Sequence, residues 1–164
     1  MQTTVNVAQA FGIPGEMYDL TPRRVDAFEV AADATMGDLA GFHNGKVGPF
    51  VGAVPGSTTG EKFSTLAGIF VRPHEMVNYG DDGEALKASL DIKAGVTAQV
   101  CSMGRVIVKM TVATVEGDLV YVDSNGAYTK ASSTTSGQTT TPNTLVGKII
   151  KGGAANNLAV IELG

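Results

Sequence analysis

Few side chains in this sequence could do covalent or metal chemistry, and their spacings argue against it. The two histidines, His43 and His74, are isolated, and neither stands at metal-ligand spacing from the other or from the single cysteine, Cys101. Histidines placed this way ordinarily take structural or solvent-exposed positions rather than acting as a ligand or general base. Cys101 precedes Ser102-Met103-Gly104 at the edge of an apolar segment. A small buried hydrophobe is the usual role there, because a nucleophilic thiolate needs a base beside it.

Three stretches imitate ligand-binding motifs and fall short. Gly41-Phe42-His43-Asn44-Gly45-Lys46-Val47 has the outline of a phosphate loop, but that pattern needs Gly where Ala40 stands and Ser or Thr where Val47 stands. Asp123-Ser124-Asn125-Gly126 opens like a calcium loop, yet its glycine comes too early and no bidentate Glu follows at the required distance. Asp81-Asp82-Gly83-Glu84 could attract a hard cation, but a solvated helix start explains it better. No nucleophile, base and orienting group can be nominated together, so the sequence points to a protein that is not an enzyme, with no cofactor and no metal.

The elements that would carry these residues are β-rich. The 164 residues suffice for one domain with a real core. With 21 Gly, 6 Pro and no Trp, long helices are excluded, since Gly costs about 1 kcal/mol per helical position relative to Ala. Arg105-Val106-Ile107-Val108-Lys109-Met110-Thr111-Val112 alternates with period two, which predicts a half-buried strand with Val106, Val108, Met110 and Val112 inward. Leu66-Ala67-Gly68-Ile69-Phe70-Val71 is apolar without alternation, as expected of a central strand covered on both faces.

Leu119–Asp123 and Ala127–Lys130 flank Ser124-Asn125-Gly126, a hairpin signal. Leu145–Ile150 and Leu158–Leu163 form a second pair. Weaker strand candidates are Val25–Ala31, Phe50–Val54 and Val96–Val100. Asp81–Leu90 carries capping-box spacing and predicts one short helix. The expected fold class is all-β: a small antiparallel β-barrel or sandwich with an extended N-terminal arm over 1–24, a single β domain over 25–164, and at most one short helix.

Charge and surface composition narrow the partners. A net charge of -4 lacks the basic footprint of a nucleic-acid binder. No basic segment followed by an apolar run opens the chain and no apolar stretch approaches membrane-spanning length, so neither leader nor membrane anchor is expected. A lone cysteine and the absence of any Asn-x-Ser/Thr sequon fit folding in a reducing cytoplasm. Only 17% of residues are charged, against about 25% in an ordinary soluble domain. Interface cores are depleted in charge, and Phe11, Ile13, Pro14, Met17 and Tyr18 lie in an arm with no apolar period of its own. These five are the candidate partner-contact residues, the alternative being that the arm folds back on its own barrel.

Taken in order, Ala10-Phe11-Gly12-Ile13-Pro14-Gly15, Leu66-Ala67-Gly68-Ile69-Phe70-Val71-Arg72-Pro73, Ser102-Met103-Gly104, Gly117-Asp118-Leu119-Val120-Tyr121 and the closing hairpin after Pro142-Asn143 are similar to the structural cement, or head decoration, proteins of tailed bacteriophages. Departures are the charged stretch from His74 to Lys87 and the length of the Thr-rich loop 131–143. The resemblance implies a β-rich protein that binds the outside of an expanded capsid and bridges major capsid subunits. It implies a homo-oligomer, with a trimer favoured over a dimer, a place on the virion exterior, and synthesis in the bacterial host cytoplasm. A receptor- or glycan-binding β module on a virion appendage, with the Thr-rich loop as its tip, is the alternative.

Overall fold

Valine and isoleucine crowd the stretch around residue 106, and β-branched side chains suit a pleated, packed surface. A computed structural model describes residues 12–19, 21–51, 63–72, 91–122, 126–130, 144–154 and 157–164. Its strands are β1 (Arg24–Glu29), β2 (Ala34–Thr35), β3 (Leu39–His43), β4 (Lys46–Pro49), β5 (Thr65–Val71), β6 (Asp91–Ile92), β7 (Thr97–Lys109), β8 (Leu119–Val122), β9 (Tyr128–Lys130), β10 (Thr144–Lys151) and β11 (Leu158–Leu163). Among the described residues there is no helix, and nine strands form one antiparallel sheet in the order β4-β3-β5-β7-β11-β10-β8-β9, with β1 also on β7. The sheet curls into a half-barrel, so the all-β expectation holds. The helix expected over 81–90 and the Thr-rich loop 131–143 lie outside the described residues.

β7 organises the sheet. Its first half pairs with β1 and β5, and its second half pairs with β11 from Gly104↔Leu163 to Lys109↔Leu158. Sequence periodicity sets Val96–Val100 apart from Arg105–Val112, whereas the structure runs one strand from Thr97 to Lys109 and leaves Met110–Val112 beyond its end. The intervening Gly104 adopts φ +130° and turns the strand without breaking its pairing. Beyond β1, the Ala31 N–H donates to Val47 O at 2.8 Å, drawing that end of the sheet toward β4.

Two apolar clusters fill the curl. Val30, Val47, Phe70, Ala98 and Val100 form one, and Ile69, Val71, Cys101, Val106, Val108, Met110, Ile149 and Ile161 belong to the larger other. β5 thus sends Phe70 to one side and Ile69 and Val71 to the other, as its unbroken apolar run requires. Of the expected inward set, Val106, Val108 and Met110 are buried and Val112, past the end of β7, is half-buried, but Ile107 is buried as well, only 2% exposed. The half-buried reading fails at that residue because another segment covers its outer face.

Of the candidate strand Phe50–Val54, Phe50 and Val51 lie outside any strand and 52–54 fall outside the described residues. The strand is Lys46–Pro49, joined to Leu39–His43 by a tight turn in which Asn44 (φ 50°) and Gly45 (φ 77°) both lie in the left-handed region. This is the same Asn-Gly turn chemistry that signals the hairpin between β8 and β9, and it sits inside the stretch that imitates a phosphate loop. The β8–β9 and β10–β11 hairpins form where expected.

Tyr128, on β9, is buried and its hydroxyl donates to Gly37 O at 2.7 Å, linking the two halves of the curl. Burial, with a smaller push from the Asp38 charge, raises its phenol well above the ordinary value of 10.0. The unfolded chain therefore ionises first: the stabilisation is complete below about pH 10 and is lost as pH climbs toward the raised value. Tyr128→Phe is expected to cost about 1–2 kcal/mol at neutral pH and to flatten the decline of urea-unfolding stability above pH 10. Phe70→Ala, which empties a fully buried site, is expected to cost about 3–5 kcal/mol in the same assay.

Candidate functional site

The segment before β1 is shaped by its own sequence. In Ile13-Pro14-Gly15-Glu16, proline presets φ for the second position of a turn and glycine accepts the positive φ of the third. Gly15 has φ +81°, and the Glu16 N–H donates to Ile13 O at 3.1 Å. The Glu16 carboxylate accepts from the Ile13 N–H at 3.2 Å and closes the turn from outside.

From this turn the arm lies along the chain's own sheet. Gly15 N–H donates to Ile107 O at 2.8 Å, Ile107 N–H to Glu16 O at 2.9 Å, and Tyr18 N–H to Arg105 O at 2.9 Å. On the other side, the Arg72 N–H donates to Gly15 O at 2.8 Å. Gly15 therefore joins the end of β5 to the far half of β7. A Cβ added there would meet Gly37 N at 2.8 Å and Phe70 O at 3.0 Å, so only glycine fits. Gly12 lies against Ile107, which accounts for the cover over that residue.

Polar contacts fix the arm's far end. Asp19 accepts from the Thr21 N–H at 3.1 Å and from the Thr21 hydroxyl at 2.6 Å, and Arg105 Nη1 donates to its other oxygen at 2.9 Å. Arg105 Nη2 reaches Glu162 at 3.5 Å. Hydrogen bonds from Thr21, aided by Arg105, hold the Asp19 carboxyl below its usual range.

Of the five candidate contact residues, Ile13, Pro14 and Met17 are half-buried and Tyr18 is 40% exposed. Met17 packs on the larger cluster and pairs with Val106. Phe11 lies outside the described residues. The structure thus brings four of the five together on one edge of β7. Of the residues that hold them there, Gly15 and Asp19 sit in local signals, Pro-Gly for a turn and Asp-x-Thr for a side-chain turn, whereas Arg105 has none because its partner Asp19 is 86 residues away.

The residues considered for chemistry stay apart. Cys101 is fully buried and its thiol donates to Met103 O at 3.0 Å, while burial raises its pKa, so it remains a thiol. His43 lies at the β3–β4 turn with Asn44 Nδ2 at 3.0 Å from its Nε2 and the Phe63 ring beside it. Among the described residues, no group of three His, Cys, Asp or Glu could hold a metal ion, and no helix is long and apolar enough to cross a membrane. His74 lies outside the described residues.

A family model described as structural cement protein (E217 gp24/Pam3 gp6) matches residues 1–164. The chain belongs to this phage structural cement family. It is a phage structural protein and a virion component. A comparison with curated proteins finds no match. Among solved structures, this cement protein is similar to the head fiber gp8.5 N base in bacteriophage phi29, with a TM-score of 0.45 and 12% identity, covering 87% of this chain and 95% of that one.

Because the Asp19 carboxyl is depressed in the folded state, its contribution is present above the ordinary value of 3.8 and is lost as pH falls through the lower folded value. Asp19→Asn is expected to cost about 0.5–1 kcal/mol at neutral pH and low salt, and less at high salt, because the pair is partly exposed. The gap between variant and parent should close below pH 4 in urea titrations.

Proposed function

We propose that this cement protein binds the outside of the expanded head and bridges neighbouring major capsid subunits, stabilising the shell without catalysing a reaction. The observation that carries this reading is the family match over the whole chain. The surface supports it: Tyr18, Met103, Leu119 and Leu145 are 40%, 42%, 44% and 53% exposed on a chain of which only 17% is charged. Such a surface suits desolvation against a protein partner and does not attract nucleic acid.

The arm over 1–24 is the contact segment of a single β domain over 25–164, with Phe11, Ile13, Pro14, Met17 and Tyr18 as its contact residues. Because residues 12–19 are seated on the chain's own sheet, the arm meets the capsid as part of a formed surface. A homo-oligomer, a trimer before a dimer, matches the cyclic axes of a closed shell. Each copy need then bind only modestly, since linked contacts act together.

Quantitative mass spectrometry of purified virions should give a copy number near that of the major capsid protein; a few copies per particle would contradict a lattice role. Tyr18→Asp should weaken sedimentation with expanded heads by about tenfold or more, the effect of losing one buried aromatic anchor, with an unchanged β-sheet circular dichroism spectrum. Undiminished binding would remove the arm from the interface. Removing residues 2–20 is a harsher version, because it also uncovers Ile107 and strips the β7 edge.

A further inference from the structure

The seat of the arm on β7 has the features of a strand-acceptor site, and we infer that in the assembled protein it takes the arm of a second copy of this chain. The contact is peptide-like: backbone hydrogen bonds to Arg105, Ile107 and Arg72, Met17 packed beside Val106, and Asp19 paired with Arg105. Main-chain pairing supplies affinity in such added strands, and side-chain anchors supply selectivity. The charges match as well, since the arm carries Glu16 and Asp19 while the seat presents Arg105.

The link to the body permits exchange. Between Asp19 and β1 stand four residues, Leu20, Thr21, Pro22 and Arg23, of which Pro22 and Arg23 are exposed. Proline disfavours the helical region for the preceding Thr21, which the structure holds in a side-chain turn on Asp19 that opening the link would release. The five steps from Asp19 to Arg24 can reach about 17 Å, so a neighbour whose β7 lies within that span of β1 can be served. The contacts of residues 12–18 with the seat and the Asp19–Arg105 pair can form within one chain or between two, whereas the Asp19–Thr21 turn is given up where the link opens. The free energy of exchange then depends on strain in the link and on local concentration, which self-association on a shell raises.

This inference rests on the cement reading only for its setting. Met17 and Val106 are direct partners across the seat, so M17C chains are refolded together with V106C chains and oxidised. Exchange predicts a disulfide-linked heterodimer severalfold above the yield from V115C mixed with V106C, Val115 being an exposed position away from the arm. The M17C/V106C double variant confirms that the geometry permits the bond. If V106C does not fold, D19C and R105C replace the pair at the less buried end of the seat.

An internal disulfide in the double variant with no link between mixed chains would overturn exchange. Expanded-head binding by the same mixture separates the two ideas. Binding without intermolecular links rejects exchange alone, and links without binding reject the cement reading alone.

Discussion

The pairing of β7 along both edges is the constraint on which the rest depends. A 13-residue strand presents more backbone donors and acceptors than one neighbour can satisfy, and burying any of them unpaired would cost about 1–3 kcal/mol each. β1, β5 and β11 meet part of that demand, and the arm meets the remainder at Arg105 and Ile107. The arm is therefore part of the sheet's hydrogen bonding as well as cover for Ile107. This also explains why the turn at Pro14-Gly15 matters: it delivers the arm to both β5 and β7 at a place where there is no room for a Cβ.

Charge contributes little to holding this fold. Pairs such as Arg24–Asp26, Lys46–Glu29 and Lys93–Asp33 are largely exposed, and exposed pairs contribute about 0–1 kcal/mol each. The weight falls on the two apolar clusters and on β5, whose Ile69, Phe70 and Val71 are buried on opposite faces. Such a core leaves the surface free of the task of stabilising the monomer. Exposed apolar side chains on a sparsely charged surface are then available for assembly, which agrees with membership of a family of phage structural proteins.

In the proposed reading, the arm is where fold and function meet. Asp19 and Arg105 are each 29% exposed, less than the partners of the Arg24–Asp26, Lys46–Glu29 and Lys93–Asp33 pairs, and they tie the arm's end to β7. A segment held by main-chain bonds, one packed methionine and one partly shielded ion pair is more loosely attached than a core strand, because it buries less apolar surface. That intermediate attachment suits a contact element: ordered enough to present Tyr18 in a defined place, yet separable from the body.

The sequence by itself determined the local facts. Alternation placed Val106, Val108 and Met110 inward, the apolar run at Leu66–Val71 marked a strand buried on both faces, and turn residues located the β8–β9 and β10–β11 hairpins. Short collinear motifs carried the family resemblance. Only the tertiary structure decided that Thr97–Lys109 is one strand, that Ile107 is covered, and that Ile13, Pro14, Met17 and Tyr18 lie on the chain's own sheet. Periodicity reports which face of an element is apolar; it does not report which distant segment covers that face. Pro14-Gly15 and Asn44-Gly45 are turn-forming pairs that the readings of an extended arm and of a phosphate-loop imitation passed over, and what each turn brings together is set by partners dozens of residues away.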